Sequence, residues 1–397
     1  MRLIALIGGG ALLVAAAGAD EPPPSTPPSP PPKSKPKPSF RDSLDGAFDM
    51  SDRIIESGAF VPVPIVITEP ALGSFGGGMA PVFIKKHPPR DKDGRTTPIK
   101  PDVTAVAGAY TANDSWFGGA GRVASLPRHG IRYTVGGGFV NLNLDFYETL
   151  PSGEARAFGI KTKGAAFVSR VMKEVAGPRF SLGLQYTLGK VEVAAQEPGN
   201  LPSFVTQTSL DSVISTAGPV VEFDGRDNIF TPDRGLKLHG HFTWSDDWLG
   251  SDYRFGRGNA YLYGYVPLGA HWSRGRNWIS AFRLDWQQVV DDPPFYLLPY
   301  IDMRGIPAVR YQGRTTLLLE TEQRVDVTRR WSAVVFGGVA KAFDEFSAAD
   351  EAELVYAYGG GFRYLIARKL KLRMGVDVAR GPEEWAYYIV FGSAWRR

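Results

Sequence analysis

The stretch Ile301-Asp-Met-Arg-Gly-Ile-Pro-Ala-Val-Arg310, with the strand-like run from Tyr311 to Val327 that follows it, decides the predicted fold. Side chains alternate faces along a strand. One face of this run carries the charged residues Glu320, Glu322, Arg324 and Asp326. The other face carries the apolar residues Leu317, Leu319, Val325 and Val327. An arginine loop that leads into a strand with acids on one side predicts a barrel closed around its own plug.

The rest of the chain repeats this alternation between turn signals, which predicts one large all-β unit. The predicted strands are 62–69, 74–84, 101–112, 115–126, 130–142, 157–171, 177–190, 211–223, 235–247, 252–268, 272–290, 313–327, 330–344, 353–367, 370–380 and 385–395. They number 16, and an even count with apolar and polar faces alternating is typical of a transmembrane antiparallel β-barrel. That barrel is predicted over residues 61–397.

Composition excludes several functions. Lys+Arg 45 against Asp+Glu 41 gives no reason to expect a nucleic-acid partner. The absence of cysteine excludes a disulfide framework, a thiolate nucleophile and a lipidated N-terminal cysteine. No glycine triplet sits in a phosphate loop and no nucleophile elbow occurs, so no enzyme and no cofactor are predicted. His239 and His241 share a strand face, but histidines without a metal are the favoured interpretation because no acid lies at ligand spacing.

The N-terminal region divides into three predicted parts. Residues 1–19 have an arginine, an apolar run and a small-residue end, as a secretory signal does. Residues 20–40 are a proline-rich periplasmic spacer, and 41–60 are a short periplasmic segment with a helix over 41–58. Short and long connections alternate along the barrel, which predicts a periplasmic N-terminus. The long basic turn 85–100 does not fit that pattern.

The first and last predicted strands meet at a seam. Pro62 and Pro64 in the first strand cannot donate a ladder hydrogen bond. The last strand is expected to present its large side chains on one lipid-facing side, namely Tyr387, Ile389, Phe391 and Trp395. The seam is therefore the predicted weak point of the barrel and a candidate lateral opening. A short first strand that closes normally is the alternative.

Four segments in order resemble the BamA/TamA family, the bacterial surface antigen group. Met303-Arg-Gly-Ile306 is similar to its Val-Arg-Gly-aromatic signature, and Pro62–Gly78 is similar to its opening hairpin. Tyr387–Trp395 resembles its C-terminal strand signal. Its periplasmic turn motif is matched by Asp224, Arg226, Asp227, Pro232 and Gly235. The resemblance covers about residues 60–395.

The resemblance implies a loop fixed in the lumen. In the family, the arginine of the loop is held by a glutamate of the twelfth strand and an aspartate of the thirteenth. Arg304, followed by Gly305, matches the arginine, and Glu322 in Glu-x-Arg with Arg324 matches the glutamate. The aspartate position is Gly338, so Glu320 is the expected substitute. Both glutamates are expected to pair with Arg304 and Arg324.

The resemblance also implies a function. A Gram-negative outer-membrane barrel of the assembly and translocation superfamily is expected, which inserts or exports proteins through the seam. Its expected partners are outer-membrane lipid, lipopolysaccharide and client proteins, and the barrel is expected to be monomeric. Family members usually carry periplasmic POTRA domains, whereas this sequence looks like a barrel-only relative. A passive pore or a structural barrel without insertase activity is the alternative hypothesis.

Overall fold

The computed structural model describes residues 40–56, 60–68, 72, 75–85, 87, 90–92, 95–97, 101–149, 155–196, 209–269 and 277–395. The predicted signal at 1–19 lies outside the described residues, and so does the predicted spacer except for Phe40. Within the described residues, no helix is both long and apolar enough to cross a membrane.

Sixteen antiparallel strands form one curled sheet, each paired with its neighbours in the chain. Their bounds are β1 Phe60–Ile67, β2 Gly76–Lys85, β5 Asp102–Thr111, β6 Trp116–Leu126, β7 Ile131–Thr149, β8 Ala155–Glu174, β9 Phe180–Ala195, β10 Ser209–Asp224, β11 Gly235–Ser245, β12 Phe255–Pro267, β13 Trp278–Asp291, β14 Thr315–Asp326, β15 Trp331–Phe343, β16 Val355–Ala367, β17 Leu372–Arg380 and β18 Trp385–Phe391. A separate hairpin, β3 Arg90–Lys92 and β4 Arg95–Thr97, lies in the predicted long turn 85–100. The predicted 16-stranded antiparallel barrel is confirmed.

β7 is among the strands that run further than the sequence pattern indicated. β7 continues to Thr149, whereas the prediction ended at position 142. The predicted loop from position 143 begins with polar residues, yet Asn143 pairs with Lys161 and Asp145 with Gly159 in the β7–β8 ladder. Leu144 and Phe146 also continue the apolar alternation of Val140 and Leu142, so the prediction ended this strand too early.

The two faces of the barrel wall differ as predicted from the alternation. On β14, Leu319 is 52% exposed on the outer face, whereas Glu320 is only 1% exposed on the inner face. On β13, Leu284 is exposed and its neighbour Arg283 is fully buried. The outside of the barrel is thus apolar and the interior is charged.

A short segment precedes the barrel, and its helix is smaller than predicted. Only α1, Ser51–Glu56, is helical. Before it, the carboxylates of Asp42 and Asp45 accept backbone N–H bonds from residues two positions later, and Gly46 has a φ of 68°. Such local side-chain bonds compete with helix formation, which explains why the helix does not start at position 41.

This segment is attached to one end of the barrel through Arg330, in the turn before β15. Arg330 donates to Asp45 (Nε, 2.7 Å) and to Asp49 (Nη1, 2.6 Å), and it also binds Asp42. Arg368 binds Asp42 as well. We call these ion pairs the Arg330 clamp. The end of the barrel that carries it, where β1 begins, is the proximal end, and the opposite end is the distal end.

Apolar contacts reinforce the clamp. The side chain of Ile54 is buried against residues from both sides of the seam region. Its cluster contains Val61, Ile84, Ala367, Leu370 and Leu372. The segment therefore runs from β1 beneath the last strands of the barrel.

Replacement of Arg330 by glutamine should release the segment, because three carboxylates lose their shared guanidinium. Limited proteolysis with mass spectrometry should then show cleavage within residues 40–56. Arg329→Gln is the matched control, since Arg329 is exposed and adjacent. Equal protection in the two variants would contradict the clamp.

The clamp should also depend on pH. The hydrogen bond from Arg368 holds the pKa of Asp42 below its usual range, and that from Arg330 does the same for Asp45. A carboxylate whose pKa is lowered in the folded state stabilises the fold at pH values above the ordinary aspartate pKa of about 3.9. This stabilisation is lost as the pH falls through the lowered pKa. Protection of residues 40–56 should therefore persist down to about pH 4 and disappear in stronger acid.

Candidate functional site

The loop between β13 and β14 packs against the inner face of the barrel wall. Its residues Ile301, Met303 and Ile306 are buried against the wall formed by β14 to β16. Further along the loop, Val309 is buried against Phe146, Ile160 and Val193, which lie on β7 to β9. Loop side chains thus contact two separate parts of the wall, β14 to β16 and β7 to β9.

Arg304 is the charged centre of this loop and is only 3% exposed. It donates to Glu320 from Nε (3.0 Å) and Nη2 (2.7 Å). Its Nη1 donates to Glu322 (2.8 Å) and to Asp377 (2.7 Å). The guanidinium also lies over the ring of Phe336, with Cζ 3.5 Å from the ring centroid. Three carboxylates and an aromatic face compensate the desolvated cation.

Gly305 lets the loop approach the last strands. Its φ is 89°, and a Cβ at this position would lie 3.1 Å from the backbone nitrogen of Gly381. Its N–H donates to the hydroxyl of Tyr388 on β18 (2.9 Å). Glycine tolerates both the left-handed backbone and the close approach. The Arg-Gly pair therefore joins the loop to β14, β17 and β18 at once.

Glu320 accepts hydrogen bonds from more than one donor. Besides Arg304, it accepts from Arg283 on β13 (3.3 Å) and from the indole N–H of Trp395 (2.8 Å). Arg283 is in turn bound to Asp285 (2.6 Å). A buried carboxylate is stabilised when hydrogen bonds occupy its oxygens, and here both oxygens are used. We call Glu320 and the groups bound to it the Glu320 hub.

Asp377 is the carboxylate that the sequence analysis missed. It lies on β17, and it also accepts from Arg363 (Nη2, 2.9 Å). The position that corresponds to the family's aspartate, Gly338, has no room for a side chain: a Cβ there would lie 2.7 Å from Sδ of Met303 and 2.9 Å from the carbonyl oxygen of Leu319. The available signal was the place of Asp377 on the polar face of the predicted strand 370–380.

The prediction for Arg324 was wrong. Arg324 does not join Arg304 at the glutamates; it binds Asp233 in the turn between β10 and β11. This turn folds across the proximal end of the barrel, because Asn228 donates to the carbonyl of Leu370 (3.1 Å) and Lys371 binds Asp227 (3.0 Å). Arg324 lies four residues beyond Glu320 on the same face of β14, nearer to the proximal end. This position brings it within reach of the turn.

The motif residues of this turn lie together. Asp224 and Arg226 form a two-pronged pair at 2.9 and 3.0 Å. The carboxylate of Asp227 accepts the N–H groups of Asp233 (3.0 Å) and Arg234 (3.2 Å), which joins the two sides of the turn. Pro232 offers its carbonyl to Arg324 at 3.5 Å, and Gly235 has a φ of 110° with no room for a Cβ against Gly225.

The predicted outward position of Trp395 was also wrong. Tyr387 and Ile389 are exposed on the outer face, and Phe391 is partly buried at the end of β18. Gly392 then turns the chain with a φ of 73°, and the N–H of Ser393 donates to the carbonyl of Phe230 (2.6 Å). Trp395 therefore enters the interior, packs near Tyr263 and Tyr265, and is 4% exposed. The strand period cannot continue past such a turn.

The seam has a distinctive edge. Among the described residues no ladder joins β1 to β18, although the hydroxyl of Thr68 donates to the carbonyl of Tyr387. Pro62 lies opposite Pro81 in the β1–β2 ladder. Neither proline has an N–H to donate, so Pro62 and Pro81 form a pair without hydrogen bonds. In an antiparallel ladder, the backbone groups of such a residue, and of the residue two positions on, face the other edge of the strand. Pro62 and Pro64 therefore face the seam and offer no N–H there. The free edge of β1 lacks two donors.

The histidine pair lies on the inner wall. The ring of His239 stacks on Tyr261 with centroids 4.8 Å apart, and its Nδ1 is 3.5 Å from a Glu222 oxygen. Among the residues that the structure describes, no three His, Asp or Glu side chains converge on a possible metal position.

Comparisons with known proteins agree with this architecture. No protein-family model and no curated protein matches the chain. The crystal structure of BamA from Haemophilus ducreyi lacking POTRA domains 1–3 is similar over 83% of this chain and 69% of that one, with 13% identity and a TM-score of 0.53. CdiB from Escherichia coli is similar over 83% of this chain and 62% of that one, with 10% identity and a TM-score of 0.53.

The chain has the barrel fold of BamA and CdiB. The resemblance noted in the sequence is thus confirmed for the fold. This chain spans 62% of the length of CdiB. An activity of full-length BamA or CdiB is therefore only a proposal for this chain.

Replacement of Glu320 should weaken this BamA-type barrel more than replacement of Glu322. Glu320→Gln should lower the free energy of unfolding by about 3–5 kcal/mol, because it leaves Arg304 and Arg283 short of a buried partner. Glu322→Gln should cost about 1.5–3 kcal/mol, since Arg304 keeps Glu320 and Asp377. Urea titration in lipid, followed by tryptophan fluorescence, measures both.

A Glu322→Ala variant should also loosen the loop. Its heat-dependent gel mobility and its pore conductance should then differ from those of the parent. Unchanged values for both would show that the carboxylate does not hold the loop.

Proposed function

We propose that this chain is a Gram-negative outer-membrane barrel that assists the insertion or export of proteins through the seam between β1 and β18. The observation that carries the proposal is that, in the part of the chain that the structure describes, no ladder joins these two strands, and β1 lacks two donors. The barrel fold shared with BamA and CdiB supports the same superfamily.

The outer wall supports residence in a membrane. β16 alone presents Tyr356 and Tyr358 near the distal end and Phe362 and Tyr364 near the proximal end. Aromatic residues at both ends of an apolar wall match the two interfaces of a bilayer. Outer-membrane lipid and lipopolysaccharide would surround a monomeric barrel, with its proximal end and N-terminus in the periplasm.

The seam offers a chemical reason for client recognition. An edge strand with unpaired backbone groups pairs readily with another extended chain. β18 contains no proline and retains its backbone donors at the seam, where the carbonyl of Tyr387 accepts from Thr68, whereas β1 lacks two donors. An unfolded strand of a membrane protein could therefore pair with β18 at lower cost than in a fully closed barrel.

The interior bears on the alternative function. The loop that carries Arg304 contacts two separate parts of the wall, which opposes continuous flow through this part of the lumen. A passive pore would need the loop to leave its buried carboxylates. A structural barrel without clients is separated from the proposal by the experiment below.

Cross-linking of the seam tests the proposal. The chain has no cysteine, so Thr68→Cys with Tyr387→Cys introduces a single pair that oxidation or a short bis-maleimide can join. Insertion of a urea-unfolded outer-membrane barrel protein into liposomes should fail after cross-linking and return after reduction of the disulfide.

A pair within the wall is the matched control. Leu319→Cys with Val339→Cys joins neighbours of the β14–β15 ladder, both on the outer face, and should leave insertion unchanged. Equal insertion with the seam closed and open would refute the proposed gate, and small-solute flux that persists in both states would favour the passive pore.

A further inference from the structure

The segment before the barrel presents an unusual apolar surface. Four large side chains, belonging to residues on the turn and on α1, point away from the barrel and remain exposed. They are Phe40, Leu44, Phe48 and Ile55, at 46%, 69%, 49% and 40% exposure. We call them the apolar foot. Scattered single exposed residues are normal, so four within sixteen positions of one short segment indicate a contact surface.

The orientation of the foot is fixed by the opposite side of the segment. The Arg330 clamp holds the carboxylates of Asp42, Asp45 and Asp49 towards the barrel. Phe40 and Phe48 stack with ring centroids 6.0 Å apart. The segment is thus two-sided, with acids paired inward and apolar groups directed outward.

The foot continues the outer wall of the barrel. The hydroxyl of Tyr364 donates to the carbonyl of Phe48 at 2.8 Å. The ring of Tyr364 lies 4.9 Å from that of Trp331, which lies 5.7 Å from the ring of Phe362. Trp331 and Phe362 are exposed on the outer face at the proximal end. The aromatic band of the wall therefore extends onto the foot without a break.

Cations border the foot. Arg41 and Arg53 are exposed, and the guanidinium of Arg53 lies 4.6 Å from the ring centroid of Phe40. Aromatic and aliphatic groups edged by arginines match a bilayer interface, where apolar groups reach the acyl boundary and cations meet anionic headgroups. Asp42, Asp45 and Asp49 do not oppose this, since the clamp holds them towards the barrel, and Asp52 is paired with Lys369.

We propose that the apolar foot inserts into the headgroup layer of the leaflet at the proximal end of the barrel and binds anionic phospholipid there. This inference rests on the proposed membrane residence of the barrel, not on the gate at the seam. The foot would enter by about 5–10 Å, the usual depth of an interfacial segment. Residues 40–56 are then held from two sides, by lipid and by Arg330.

Depth-dependent fluorescence quenching tests this inference on the full-length protein. Since the chain has no cysteine, Leu44→Cys can carry a single bimane label in phosphatidylethanolamine–phosphatidylglycerol liposomes. A lipid with a shallow spin label should quench it roughly twofold more than one with a deep spin label, as expected for an interfacial position. Arg53→Gln should weaken this quenching in the anionic liposomes and leave it unchanged in neutral ones.

Two further positions separate the possible outcomes. Phe139→Cys, on the outer face of β7, should be quenched by the deep label, and exposed Ser347→Cys, at the distal end, by neither. A Leu44→Cys label that neither lipid quenches, like the label at position 347, overturns the proposed insertion of the foot. Blue-shifted emission without quenching by either lipid also overturns it, because it would indicate a protein segment that covers the foot. Loss of quenching at position 139 would instead refute membrane residence.

Discussion

The structure depends on how one buried cation is compensated. Arg304 sits where water is nearly excluded, and a lone guanidinium there would cost several kcal/mol. Its three carboxylates come from two strands, β14 and β17, which lie on either side of β15 and β16. The loop, the wall and the C-terminal tail therefore stabilise one another, because each supplies a group that the others need.

The alternation of side chains made the barrel predictable. A period of two, repeated between turn signals, gave the number of strands, and the strand bounds mostly lie within a few residues of those predicted. Pro62 and Pro64 indicated the weak edge because the chemistry of proline is local. The motif around Arg304 located the loop, since a charged residue between small and apolar neighbours stands out in a sequence.

The partners across the interior were not predictable in the same way. Arg304 and Asp377 are 73 positions apart, and Asp45 and Arg330 are 285 apart. Periodicity shows which face a side chain takes, but not which facing residue it meets across a closed wall. The predictions for Trp395 and Arg324 were wrong for this reason. The contacts of Trp395 depend on a turn at Gly392, and those of Arg324 depend on the fold of residues 225–234.

The Glu320 hub has a consequence for the role of residues 372–395. Arg304 precedes Glu320 in the sequence, and Asp377, Tyr388 and Trp395 follow both. A barrel that folded without residues 372–395 would hold Arg304 without Asp377 and Glu320 without the indole of Trp395. These residues therefore complete the charge compensation of the loop, which disfavours a stable barrel without them.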